Sequence, residues 1–363
     1  MRGVAVMLTL LMVATVNSGC LASPTPSTVP DQPVLVEHIA AVDVSSLPLI
    51  LASGTAYHDE TGTVVDPLAL FRANGVNTIR LRVWVDPATS ASSMDEVTDL
   101  AATARSMGFQ IWIAPHLSDT WADPGAQHPP AAWSDLAPDE LHTAVDDHIS
   151  DIMQRIEPDI IQLGNEINHG FLHPHGRIGN GSQPFLDLLE TASLAVRNHS
   201  NETRIMLHHA GYEGALEFFD LVQAVEYDMI GLSYYPLWHG RSLPELGEAL
   251  QTLADAHEKE IVIAETAYPF TLEWYDWTNN LVGTEDQLIL PEYPATPEGQ
   301  HDFLVDLKAT VLAVEGGSGF CYWAPEWIAW DGNTSEEGSP WENQALFDAD
   351  HRALPAMQAF APP

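Results

Sequence analysis

The chain has 363 residues, of which 45% are hydrophobic, enough to bury a core and to exclude wholesale disorder. Its 13 lysines and arginines face 51 aspartates and glutamates, so the formal net charge is −38. Nucleic acids and anionic membrane surfaces are bound through clustered Lys and Arg, so this charge argues against both as partners. The length allows two or three small domains or one large barrel.

The N-terminus has the pattern of an export signal. Arg2 precedes an apolar run from Val4 to Val16, which is too short for a full membrane span. Small residues then lead to Cys20, an ending that resembles a lipobox, in which Cys20 is lipidated. Plain secretion and an uncleaved anchor are the alternatives. We predict a signal peptide over residues 1–20 and a secreted protein tethered to the outer face of the cell membrane through Cys20.

A proline-rich segment separates this signal from the rest of the chain. Residues 21–35 carry prolines among Ser and Thr, a composition typical of an extended linker. Composition does not change again after this segment. We therefore predict a single domain over residues 36–363.

Within that domain, short apolar runs alternate with amphipathic helical stretches. The runs are His38–Val44, Thr78–Val83, Gln110–Pro115, Ile160–Gly164, Arg204–His208, Met229–Ser233, Glu260–Ala264 and Gly319–Trp323. Eight runs, each followed by a helical segment, predict an α/β fold of the (β/α)8 barrel type. An open doubly wound sheet is the alternative, but no glycine-rich phosphate loop follows the first run. Capping residues at Asp66, Ser93 and Ser242 predict three helix starts.

Two glutamates stand where a barrel places its chemistry. The fourth run ends in Asn165-Glu166 and the seventh in Glu265, and active sites of such barrels lie at the carboxyl ends of the strands. A lone strand-end Glu is more often solvated or half of an ion pair. Two facing carboxylates, with Arg80 and Arg82 available, instead favour glycoside hydrolysis, with one carboxyl protonated as general acid and the other ionised.

Aromatic side chains cluster near the same strand ends, and each is either a core residue or a platform on which a sugar stacks. They include Trp84, Trp121, Trp238, Trp323 and Trp341. Other chemistries have less support. The neighbouring histidines 208 and 209 lack a carboxylate at metal-ligand spacing, no Gly-x-Ser-x-Gly elbow is present, and Cys321 reads as a core residue.

Blocks of sequence along the whole domain resemble glycoside hydrolase family 53, the endo-β-1,4-galactanases. These blocks are Asp43–Leu47, Gly75–Pro87, His116–Gln127, Gln162–Pro174, Ser233–Gly240, Glu265–Thr271 and Trp341–Asp348. The resemblance implies a (β/α)8 catalytic domain that hydrolyses the β-1,4-galactan of type I arabinogalactan with retention. It implies Glu166 as the acid/base and Glu265 as the nucleophile.

The resemblance also implies a set of substrate-binding residues. They are Arg82, Trp84, His116, Asp119, Asn165, Tyr234, Trp238 and Trp323. Among them, Asn165 would bind the sugar 2-OH, Arg82 would keep Glu265 ionised, and Tyr234 would lie near Glu265. Arg80 and Tyr235 are further neighbours of the site.

We expect a monomer that binds a polysaccharide and requires no cofactor. Calcium stays open: some bacterial relatives bind it in the loop after the seventh strand, where only Asp276 and Asn280 match ligand types here. Two other functions also stay open. One is a different β-1,4-glycanase of the same barrel clan, such as a mannanase or xylanase. The other is a catalytically dead surface glycan-binding protein.

Overall fold

The computed structural model describes residues 38–179 and 181–363. The predicted signal peptide, Cys20 and the predicted linker lie outside the described residues. Strands within those ranges are β1 (Ile39–Asp43), β2 (Tyr57–His58), β3 (Val64–Val65), β4 (Thr78–Val83), β5 (Gln110–Pro115), β6 (Ile160–Gln162), β7 (Arg204–Ala210), β8 (Met229–Ser233), β9 (Glu260–Thr266) and β10 (Gly317–Trp323). Helices are α1 (Leu47–Ala52), α2 (Pro67–Ala73), α3 (Met94–Ser106), α4 (Pro138–Arg155), α5 (Gln183–His199), α6 (Ala215–Val222), α7 (Pro236–His239), α8 (Leu243–His257) and α9 (Pro297–Leu312).

Eight of the strands close into a parallel barrel. Their order around the barrel is β1-β10-β9-β8-β7-β6-β5-β4, and β2 and β3 form a separate antiparallel pair. Each of the predicted apolar runs is one barrel strand, so the (β/α)8 prediction is confirmed and the open sheet is wrong. The longest loops follow β5, β6, β9 and β10, so most loop residues lie at the carboxyl ends of the strands.

The helix starts follow the predicted capping residues. The Asp66 carboxylate accepts hydrogen bonds from Leu68 N at 2.8 Å and Ala69 N at 3.3 Å, and α2 begins at Pro67. Ser242 likewise caps α8. None of the helices within 38–179 and 181–363 is both long and apolar enough to cross a bilayer.

The barrel interior is layered, and the layers position the site. Its lower part is a dry cluster formed by Ile39, Ala41, Trp112, Ile160, Met206, Met229, Val262, Ala264 and Cys321. Cys321 is fully buried there, as expected for a core residue. Because side chains alternate along a strand, the next inward positions of the same strands carry polar residues, among them Asp43, Gln162 and His208. Polar chemistry therefore begins directly above the apolar core, at the carboxyl ends of the strands.

Candidate active site

A tight turn after β6 carries Glu166 into the barrel mouth. Gly164 has φ +80°, and an added Cβ there would lie 2.6 Å from the Ile167 side chain. Glu166 itself has φ +47°, an uncommon conformation for a residue with a side chain. The Gln127 amide clamps the turn by donating to Asn165 O at 2.8 Å and to Glu166 O at 3.3 Å. The strain is thus held by a specific buried partner.

A bulge in β9 turns Glu265 inward. Val262 and Ala264 both face the interior, so simple alternation would send the next residue outward. The register against β8 instead passes from Leu232–Ile263 to Ser233–Glu265, which inserts one extra residue in β9. Glu265 is consequently buried inside the mouth at 5% exposure.

Arg80 on β4 connects the site. Its guanidinium is fully buried and donates to Asp43 Oδ2 at 2.8 Å and to Glu265 Oε1 at 2.7 Å. It also donates to Asn165 Oδ1 at 2.9 Å and to Gln162 Oε1 at 3.1 Å and 3.2 Å. A buried cation needs paired charge and hydrogen-bond acceptors, and each of the three guanidinium nitrogens of Arg80 has an acceptor. Arg80 therefore fixes the position of the Glu265 carboxylate relative to the side-chain amide of Asn165, the residue before Glu166.

The two glutamates have different environments. Burial, followed by the neighbouring Glu265 carboxylate, raises the pKa of Glu166 to about 8. Burial, with a contribution from the Asp43 carboxylate, raises the pKa of Glu265 as well, but the Arg80 guanidinium and the Tyr235 hydroxyl oppose that rise. Of the pair, only Glu265 is ion-paired with the Arg80 guanidinium, which favours its ionised form, whereas the raised pKa of Glu166 favours its protonated form. This division matches an ionised nucleophile beside a protonated acid.

Arg80, and not Arg82, holds Glu265, which corrects the expectation for Arg82. Both arginines face inward from β4, but they differ in height by two residues, or about 7 Å along the strand. Arg82 lies nearer the opening, where its Nε donates to Ser92 Oγ at 2.8 Å. Its guanidinium carbon lies 4.0 Å from the ring centroid of Trp121 and 4.8 Å from that of Trp84. Arg82 therefore belongs to the rim of the mouth.

The side chain of Tyr235, and not that of Tyr234, contacts the Glu265 carboxylate, although the backbone N–H of Tyr234 donates to Glu265 O at 2.8 Å. The Tyr235 hydroxyl donates to Glu265 Oε2 at 3.0 Å. Tyr234 points to the other side of the strand, where its ring lies 6.5 Å from Phe303 of α9. Alternation from inward-facing Ser233 explains the result, because residues 233 and 235 share a face and residue 234 does not.

Asp119 anchors a loop in this structure, and its role in substrate binding stays a prediction. Its two carboxylate oxygens accept from Asp86 N at 2.9 Å and Ala131 N at 2.8 Å. His116 does lie in the mouth: its Nδ1 accepts from Ala122 N at 3.1 Å, and its buried Nε2 has no partner within the described ranges. Asn165 is also in place, with Nδ2 donating to Ala122 O at 2.9 Å.

Indole rings form a continuous belt around the mouth. Centroid distances are 5.5 Å for Trp84–Trp121, 5.8 Å for Trp121–Trp323, 6.3 Å for Trp323–Trp341 and 6.2 Å for Trp341–Trp238. Trp323 is nearly buried, whereas Trp121 and Trp238 are 38% and 53% exposed. The structure thus brings the predicted tryptophans together, and Trp238, at one end of the belt, is the most exposed of them for stacking.

The loop after β9 brings Asp276 and Asn280 together with Glu342, a residue that the sequence analysis did not identify. Asp276 Oδ2, Asn280 Oδ1 and Glu342 Oε2 are all buried and unpartnered among the residues that the structure describes. Gly338 makes room for this cluster, since a Cβ there would lie 2.1 Å from Asp276 Oδ2. Three orphaned oxygens fit a hard cation, although calcium takes at least six ligands and the rest must come from backbone or water.

Sequence reasoning also missed Gln162, His208 and Ser233. Gln162 and His208 are fully buried, and Ser233 Oγ donates to Glu166 Oε1 at 2.5 Å. The available signal was strand alternation, which places all three on the inner face one or two positions above the apolar core.

Comparison with known proteins matches this geometry. The family model for "Glycosyl hydrolase family 53" matches residues 39–360. The arabinogalactan endo-beta-1,4-galactanase of Cellvibrio japonicus is 35% identical over 338 residues, covering 88% of this chain and 89% of that protein. The protein of the same name from Thermothelomyces thermophilus is 30% identical over 345 residues, covering 88% and 97%.

Solved structures give the same assignment. The GH53 catalytic domain of Ignisphaera aggregans superposes with a TM-score of 0.84 at 38% identity, covering 92% of this chain and 97% of that domain. A fungal β-1,4-galactanase superposes with a TM-score of 0.77 at 30% identity, covering 88% and 98%. The chain belongs to glycosyl hydrolase family 53.

Proposed function

We propose that this protein is a retaining endo-β-1,4-galactanase acting on the galactan of type I arabinogalactan. The observation that carries the proposal is the asymmetric pair: Glu265 is salt-bridged to Arg80 at 2.7 Å, while burial raises the pKa of Glu166 to about 8. The galactan substrate is inferred from the names of the relatives.

The pair supports a double displacement. Glu265 attacks the anomeric carbon while Glu166 transfers its proton to the leaving glycosidic oxygen. Glu166 then takes a proton from water, and that water releases the product with retained configuration. Retaining enzymes hold the two carboxyl groups about 5 Å apart, with no room for a water between them. Here the Glu265 carboxylate is close enough to Glu166 to raise its pKa, as this arrangement requires.

Donors for the sugar lie beside this pair. Asn165 Nδ2 makes one hydrogen bond within the described part of the chain, which leaves its second N–H for the 2-OH. The unpartnered Nε2 of His116 is a second donor, because its Nδ1 is already an acceptor. The indole belt supplies stacking faces for the apolar sides of neighbouring galactose units.

The two alternative functions make different demands. A panel of galactan, mannan and xylan, followed by product sizing, separates a galactanase from another β-1,4-glycanase. Internal cleavage of galactan with the other polymers intact supports the proposal, and preferential cleavage of mannan or xylan contradicts it. A dead glycan-binding protein would bind galactan without turnover.

We expect Glu166→Ala and Glu265→Ala each to lower galactan hydrolysis by at least about a thousandfold, since each removes a group that makes or breaks a bond. Azide assigns the roles: Glu166→Ala should form a β-galactosyl azide from an aryl substrate, and Glu265→Ala the α-anomer. Glu190→Ala, an exposed site on α5, is the matched control. Activity near wild type in either catalytic variant contradicts the assignment.

The pH dependence of kcat/KM should fall on the alkaline side with an apparent pKa of about 8. A raised pKa means that Glu166 stays protonated up to that pH, and the acid is lost above it. The limb should flatten with a dinitrophenyl substrate, whose leaving group needs no proton. An alkaline limb near pH 5 would show that the acid does not have the raised pKa.

Calcium should raise the melting temperature by several degrees, and a chelator should reverse the rise. We propose that Asp276, Asn280 and Glu342 hold this ion as a structural site, supported by their orphaned oxygens. At 100 times Kd, such binding stabilises the fold by about 2.7 kcal/mol. Asp276→Asn should remove the response, whereas Asp59→Asn, which alters another turn-capping carboxylate, should keep it. Chelator-insensitive melting of the wild type excludes the site.

We further propose that the enzyme is exported, is a monomer, and is held at the outer face of the cell membrane through lipidated Cys20. The sequence pattern of residues 1–20 supports export and lipidation. Mass spectrometry of the mature protein tests this. A diacylglyceryl adduct on Cys20 supports tethering, and an unmodified or differently cleaved N-terminus contradicts it.

A further inference from the structure

A chain of hydrogen-bonding contacts runs from Arg80 to Glu166, and its direction follows from the groups in it that can only donate. Arg80 carries only donors, so the Gln162 atom that it contacts at 3.1 Å and 3.2 Å is the carbonyl Oε1. The Gln162 amide nitrogen lies 3.0 Å from His208 Nδ1 and from two carbonyl oxygens, one of which, Asn165 Oδ1, itself lies 3.1 Å from that Nδ1. The backbone N–H of Glu166 decides between the two tautomers. It points at Nδ1 from 3.4 Å and has no other acceptor among the described residues, so a hydrogen on Nδ1 would leave this N–H unpaired. His208 Nδ1 is thus an acceptor.

The tautomer of His208 follows. Burial, with a contribution from Arg80, lowers the pKa of His208 well below its usual range, so the ring is neutral and carries one proton. With Nδ1 accepting, that proton is on Nε2, which lies 2.9 Å from Ser233 Oγ. Ser233 consequently accepts from His208, and its own hydrogen turns to Glu166 Oε1 at 2.5 Å.

The last step assigns the two oxygens of Glu166. Oε1 receives the Ser233 hydrogen, so it is an acceptor and does not carry the carboxyl proton. Oε2 makes no hydrogen bond to any of the described residues and is absent from the fully buried polar atoms, so it is the oxygen open to the mouth. A proton on Oε2 faces the position of the scissile oxygen.

We propose that Gln162, His208 and Ser233 are positioning residues that keep the catalytic proton of Glu166 on Oε2 and stabilise the carboxylate after that proton leaves. The inference rests on the proposed role of Glu166 as acid/base. Since Arg80 begins the chain and also holds Glu265, one guanidinium orients both carboxyl groups. No protonation state other than that of Glu166 changes during turnover.

Ser233→Ala, with Ser233→Thr as the hydroxyl-preserving partner, tests the proposal. Ser233 is buried behind Glu166 at 1% exposure, so KM for galactan should not change. In Ser233→Ala, kcat should fall about three- to tenfold, because a weaker and less constrained acid transfers its proton more slowly. The alkaline limb should move up by about one pH unit, because the lost donor stabilised the charged form. Glu265, Asp123 and Arg80 also act on Glu166 and remain in place.

Two controls separate positioning from packing. Ser193→Ala removes another buried hydroxyl, which donates to Glu226 O, and should leave the limb at its wild-type position. Ser233→Thr should restore both kcat and the limb. If Ser233→Ala does not fold, Ser233→Cys, similar in size but a poor donor, should show the same upward shift.

A folded Ser233→Ala or Ser233→Cys enzyme whose alkaline limb coincides with that of the wild type overturns the proposed positioning role. A wild-type enzyme that does not cleave galactan overturns the proposed function instead, so the two failures are distinguishable.

Discussion

The buried guanidinium of Arg80 is the constraint on which the rest of the site depends. A charge at full burial is tolerated only with compensating charge and hydrogen-bond acceptors, and Arg80 finds these in Asp43, Gln162, Asn165 and Glu265. These partners come from three different strands of the barrel, since Asp43 ends β1, Gln162 and Asn165 belong to β6 and the turn after it, and Glu265 lies on β9. The barrel must therefore close correctly before the charge is satisfied, so closure and active-site geometry are one requirement.

The same constraint explains why some buried carboxyl groups of the site are ion-paired and others have a raised pKa. The mouth contains two arginines, Arg80 and Arg82, and the salt bridges of Arg80 go to Asp43 and Glu265. Among the described residues, Arg82 makes no salt bridge, and neither Glu166 nor Glu326 is ion-paired. Glu166 and Glu326 accordingly have their pKa values raised to about 8 by burial and by a neighbouring carboxylate. Charge balance, and not a special property of one residue, produces the proton donor.

The eight strands and the two catalytic positions could be predicted from the sequence because apolar runs, caps and strand ends are local patterns. Local patterns do not predict how far along the barrel axis a side chain lies, or where a strand contains a bulge. Arg80 and Arg82 share a face, and only the register against β1 shows which one reaches Glu265. Alternation alone would even have turned Glu265 outward, since the β9 bulge is set by pairing with β8. For the two tyrosines, alternation from inward-facing Ser233 predicts that the Tyr235 side chain faces the site. The assignment of Tyr234 from the family resemblance did not use this pattern.

The central claim is that Glu265 is the nucleophile and that Arg80 keeps it ionised. A 2-deoxy-2-fluoro galactosyl fluoride slows release of the covalent intermediate more than its formation, so the intermediate accumulates. Peptide mapping should place the sugar adduct on Glu265, with loss of activity in proportion to labelling. An adduct on another carboxylate, or galactan products released with inverted anomeric configuration, would contradict the account.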